Sequence, residues 1–165
     1  MKAWIALVGL WMACTLTCQA QVSLTGSGTL QFPSTSLTGQ DATLSATTAP
    51  LYVIQWLGQS GGFNLYLSAP ALSNSSGRTL PGVVFTARNG TFQDMTTGQT
   101  PPIAAETQST GSLVNSLQVL SIPAGVLNGT YRYLPYTANF QVTIPAEAYQ
   151  GTYTGQLTAT LVFGP

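Results

Sequence analysis

Beyond residue 20 the chain is a series of short apolar runs separated by clusters of Gly, Pro, Asn and Ser. The clearest order lies near the C-terminal end. Over residues 139–145, Phe140, Val142 and Ile144 fall on one side of an extended chain, with Gln141 and Thr143 on the other. Over residues 152–163, Tyr153, Leu157, Ala159, Leu161 and Phe163 share one face, opposite Thr154, Gln156, Thr158 and Thr160. A period of two marks a strand with one buried face. No window keeps the i, i+3, i+4 apolar spacing of a helix, so none is predicted. Further strands are expected at 28–32, 42–46, 51–57, 63–68, 83–87, 113–121 and 130–133. Residues 51–57 are apolar almost throughout, which predicts a central strand buried on both faces. Residues 145–151 read as a loop, and 91–111, with Pro101-Pro102, as a long surface loop.

Strands at this spacing without helical crossovers predict an all-β fold. The expected form is an antiparallel β-sandwich of about nine strands, Greek-key and immunoglobulin-like, although a closed barrel fits the same pattern. There is no internal repeat and no linker dividing two cores. Residues 21–165 are therefore expected to form a single domain.

The first twenty residues are of a different kind. Lys2 precedes a charge-free apolar stretch from Ala3 to about Thr15, and Cys18-Gln19-Ala20 places small residues at the −3 and −1 positions of a cleavage site. Residues 1–20 thus read as a secretory signal peptide with cleavage after Ala20. The apolar stretch is shorter than the ~20 residues a bilayer span needs, so no membrane span is expected after cleavage.

Composition then removes whole classes of chemistry. Only 5% of the chain is charged and it has no histidine. After residue 20 there is no lysine and no cysteine, only Arg78, Arg88 and Arg132 against Asp41, Asp94, Glu106 and Glu147. Three scattered arginines make no basic stripe for nucleic acid. Thiolate and imidazole ligands are missing for zinc, haem or iron–sulfur groups, and no D-x-D spacing suggests calcium, so neither a metal nor a cofactor is expected. Thiol, Schiff-base and histidine-triad catalysis lack their residues as well.

What remains is modest. Tyr131, Tyr133 and Tyr136 cluster around Arg132, a set able to stack on sugar faces and hold a carboxylate or sulfate. Alternating tyrosines on a strand can equally cover a sheet face. Trp56, in the most apolar run, is expected to pack in the core. The four carboxylates fall in separate turns and loops, none in the pattern of a glycosidase pair. Asn74, Asn89 and Asn128 open N-glycosylation sequons, and the latter two precede glycine as in a tight turn.

One longer pattern stands out. Tyr153, Leu157, Thr158, Leu161 and Pro165 keep the spacing Y-x-x-x-L-T-x-x-L-x-x-x-P. This resembles the closing motif of the WxL bacterial cell-surface domains, with Ala159 where the family has tryptophan. Residues 22–30 resemble that family's opening strand. Gly61-Gly62-Phe63-Asn64-Leu65 is similar to its G-W-x-L element, with Phe63 at the tryptophan position. Leu127-Asn-Gly-Thr-Tyr131 followed by 140–145 resembles the glycine-rich turn and strand before the last motif. The resemblance implies a secreted, non-enzymatic protein of the cell surface that adheres to cell-wall glycan or to other surface proteins. A second expectation comes from the residues themselves. Near-zero net charge and lysine-free strand edges permit self-association into a fibre or coat by strand addition.

Overall fold

The computed structural model describes residues 21–57, 61–86, 91–99, 110–124, 129–136 and 139–163. Among these there are eleven strands in three antiparallel sheets and no α-helix. The strands are β1 (Gln21–Ser27), β2 (Ala42–Ser45), β3 (Leu51–Leu57), β4 (Phe63–Ser68), β5 (Val84–Phe85), β6 (Thr91–Asp94), β7 (Gly111–Ser112), β8 (Leu117–Ile122), β9 (Gly129–Leu134), β10 (Phe140–Ile144) and β11 (Thr158–Phe163). The sheet orders are β1-β3-β9-β6, β2-β10-β5-β7 and β11-β4-β8. No helix of the described residues is long and apolar enough to cross a membrane.

Alternation drives the assembly. In β4, Phe63, Leu65 and Leu67 are buried while Asn64, Tyr66 and Ser68 are half-buried on the other face. Its neighbours follow in register, Leu65 opposite Leu161 of β11 and Leu120 of β8. The β4–β8 ladder slips between Leu65 and Tyr66, an irregularity that lets Val119 and Leu120 both be buried. In β9, Tyr131 and Tyr133 turn inward and Arg132 and Leu134 outward. Buried side chains from all three sheets form one cluster, among them Ile54, Leu65, Phe85, Tyr133 and Phe140. Backbone bonds from Ala69 N to Leu113 O and from Leu113 N to Val83 O, 2.7 and 2.8 Å, tie the β4 end to the β5–β7 region.

Several expected boundaries move. The first strand is β1, upstream of 28–32, where only an isolated Gln31–Thr48 bridge forms. The stretch 91–111 is not all loop, since β6 opens it, paired with β9, and β7 closes it. The last strand begins at Thr158 rather than Thr152, and before it only Thr154 is bridged, to Ser73. β3 is central, between β1 and β9, but it is buried on one face alone: Tyr52 and Ile54 are inside while Val53 and Gln55 are half-buried. The Trp56 side chain, the signal segment 1–20, Arg88, Asn89, Glu106, Leu127, Asn128 and Pro165 lie outside what is described.

Candidate functional site

The tyrosine cluster does not assemble into a site. Tyr131 and Tyr133 are 4% and 0% exposed, and their rings serve the core. Tyr131 stacks on Phe92 with centroids 5.4 Å apart, and Tyr133 on Tyr52 at 6.5 Å. The Tyr133 hydroxyl donates to the Val119 carbonyl at 3.5 Å, joining β9 to β8. Burial pushes the Tyr52 phenol above its ordinary range, and the same burial, aided by neighbouring Tyr52, does so for Tyr133. Only Arg132 and Tyr136 of the four face solvent. Arg132 is already engaged, its Nε and Nη2 donating to Gln93 Oε1 at 3.0 and 2.6 Å. Stacking on a ligand is thus not open to Tyr131 and Tyr133, because strand alternation sends their rings inward.

The family-motif residues divide in the same way. Phe63 and Leu65 are core residues. Leu157, Ala159 and Leu161 are half-buried and pack against that core, while Thr158 is exposed. Tyr153 is half-buried, its hydroxyl donating to the Tyr149 carbonyl at 2.8 Å.

Two of the carboxylates have architectural partners. Asp41 Oδ1 accepts from Ala146 N at 2.8 Å, pinning the start of β2 to the loop after β10. Asp94 Oδ1 accepts from Thr96 N and Thr97 N at 2.7 and 3.4 Å, closing the turn after β6. Among the described residues no group of three or more ligating side chains could hold a metal ion.

A concave feature lies elsewhere among the described residues. A groove of about 1120 Å³ runs between β1 with the segment that follows it and the 148–157 stretch. Its floor reaches core side chains, among them Tyr52, Val83 and Val142. Its rim carries Gln31, Gln150, Gln156, Tyr149 and Tyr153. Two elements fix the rim. Asn74 Oδ1 accepts from Ser76 N at 3.0 Å and Arg78 N at 2.9 Å, and Gly77, at φ +76°, donates its N–H to the Asn74 carbonyl, a turn that a side chain at Gly77 would strain. Ser73 and Thr154 then exchange backbone bonds of 2.9 Å, clamping this turn to the 148–157 stretch. Across the clamp the Arg78 guanidinium lies 4.1 Å from the centre of the Tyr149 ring, which is still 57% exposed.

Sequence reasoning passed over Tyr149, Tyr153 and Arg78 as binding residues. They come from two stretches of chain, Arg78 from the turn at 74–78 and both tyrosines from 148–157, and the 73–154 clamp joins the two stretches. The signal available beforehand was faint: two of the chain's seven tyrosines placed in or beside a loop. Comparison with known protein families, curated proteins and solved structures gives no match.

Proposed function

We propose that this is a secreted, non-catalytic bacterial cell-surface protein, related to the WxL domains, that adheres through the groove to cell-wall polysaccharide or to partner surface proteins. One observation carries the reading. The groove joins an aromatic rim at Tyr149 and Tyr153 to amide and hydroxyl side chains, with an exposed ring braced by Arg78. Aromatic faces stack on sugars, and neutral amides and hydroxyls exchange hydrogen bonds with hydroxyl groups without a charge to desolvate. Its volume is that of a site for a small ligand or a few residues of a polymer. The architecture is read as a sandwich of Greek-key, immunoglobulin-like kind. What supports it is that antiparallel sheets contribute their buried side chains to one shared cluster.

The test is retention of the purified protein on isolated cell walls. Binding that is lost in Tyr149→Ala, with unchanged melting, is the expected result; equal retention of both proteins would overturn the groove as the contact.

A second reading, the self-associating subunit, is favoured by β11. It is the outermost strand of its sheet, carries no charge, and leaves Val162 and Phe163 43% and 54% exposed. Light scattering against concentration separates the two, since a wall binder stays small and a subunit grows.

A further inference from the structure

We propose that residues 21–32 form an exchangeable arm, and that the groove and the edge of β3 that β1 covers can take the same arm from a second copy of this chain instead. The inference stands on the placement of β1 and does not require wall binding.

The arm is held on one side only. β1 ends its sheet, with β3 as its single ladder partner. Beyond β1 the chain continues along the groove in extended form. Leu30 and Phe32 are half-buried against the core, while Thr29 and Gln31 are exposed. Three bonds fasten this stretch: Thr47 N to Gln31 O at 2.7 Å, Thr48 Oγ1 to Thr29 O at 2.6 Å, and Thr47 Oγ1 to Gln31 O at 3.3 Å. The groove therefore already accepts an extended segment with apolar side chains at alternate positions. With the arm withdrawn, the β3 edge above this apolar floor would be unpaired and would ask for just such a segment.

The connection permits the exchange. Residues 33–41 are nine consecutive exposed residues, ending where Asp41 is pinned to Ala146. Fully extended, such a stretch reaches ~30 Å, about the width of a small domain. It is long enough to carry the arm onto a neighbour. Residues 21–40 contain no charged side chain at all, so nothing in the arm repels an identical copy. In the exchanged form each arm makes the contacts it makes within one chain. The difference between the two forms then rests on the connection and on concentration, the general basis of domain swapping.

The experiment uses the register of β1 on β3, in which Thr25 stands opposite Val53. Side chains so placed are close enough for a disulfide or a short bis-maleimide bridge. Thr25→Cys and Val53→Cys are made in separate chains of different tag mass and refolded together. The double variant in one chain reports that the bridge can form. The expected result is a covalent heterodimer of summed mass, growing with protein concentration. Deleting residues 34–36, which shortens the connection and disfavours the closed form, should raise its yield severalfold. If the double variant bridges within its own chain while the mixed single variants give no heterodimer at any concentration, the proposal is overturned. Wall retention measured on the same samples reports separately on the adhesion reading.

Discussion

Tyr52 and Tyr133 are direct partners across the β3–β9 ladder, and their rings stack with centroids 6.5 Å apart and an interplanar angle of 21°. Both phenols are buried, and burial raises their pKa because the phenolate would lose its hydration. In the unfolded chain they ionise near the ordinary value of 10.0. Above that pH the unfolded state sheds protons that the folded state keeps. Stability contributed by the neutral rings is therefore whole below about pH 10 and falls as pH rises further. Alkaline titration should show cooperative unfolding together with phenolate absorbance. Tyr52→Phe and Tyr133→Phe should each move the midpoint to higher pH. An unmoved midpoint in the double variant would remove these tyrosines as the cause.

A graded series of leucine truncations follows from the β11-β4-β8 sheet. Leu65 and Leu67 are 0% exposed, whereas Leu157 and Leu161 are half-buried on or beside an edge strand. Leu65→Ala should cost ~2–5 kcal/mol, the range for a well-packed core. Leu161→Ala should cost less, because the site is already open to water on one side. Thr158→Ala and Thr160→Ala, outward on β11, should stay within about ±0.5 kcal/mol. Urea midpoints at constant slope measure the series. Equal costs for Leu161 and Thr160 would mean that the register given by Leu65 opposite Leu161 is wrong.

The strands most legible in the sequence were those whose two faces meet different surroundings. Phe63–Ser68 and Leu51–Leu57 have the expected bounds because apolar side chains there meet a core on at least one side. β6 was hidden at the head of a Thr- and Gln-rich stretch: of its described side chains only Phe92 is buried, and what makes it a strand is the neighbouring β9 rather than any local preference. Residues 28–32 show the converse. Leu30 and Phe32 alternate as a strand would, yet the segment has only the Gln31–Thr48 bridge to pair with. The groove was invisible in one dimension, since Arg78 and Tyr149 meet only through the Ser73–Thr154 clamp.

Gly62 sits where the chain enters β4, hard against the end of β8. A Cβ at this position would collide with the Ile122 carbonyl oxygen and come within 2.8 Å of Ala124 N and 2.9 Å of Pro123 C, all of them backbone atoms. Backbone cannot yield as a side chain does. Gly62→Ala should therefore cost at the upper end of the ~1–3 kcal/mol of overpacked sites, or more. Gly39→Ala is the comparison: its φ of +75° strains an alanine, but nothing lies within 4 Å, so ~1–2 kcal/mol is expected. Thermal melts of the two variants decide the order, and a Gly62→Ala protein as stable as the parent would refute the close approach of β4 to β8.

The groove rim offers a test that separates ring from charge. The Arg78 guanidinium covers one face of Tyr149 at 4.1 Å, and the Tyr153 hydroxyl holds the Tyr149 carbonyl from below. If the ring stacks on sugar, Tyr149→Phe keeps the stacking surface and should retain wall binding, whereas Tyr149→Ala should lose it. Stacking contacts of aromatic rings contribute ~0.5–1.5 kcal/mol beyond area, so a loss of roughly threefold to tenfold in affinity is expected. Arg78→Gln leaves the ring and removes the cation. A small effect is expected, because an exposed cation–π pair contributes only ~0.5–1 kcal/mol. Tyr153→Phe removes the bond to the Tyr149 carbonyl without touching either ring face, so any loss there measures positioning of the loop. Should Arg78→Gln abolish retention while Tyr149→Ala preserves it, the contact is electrostatic, and the aromatic rim is not what holds the wall.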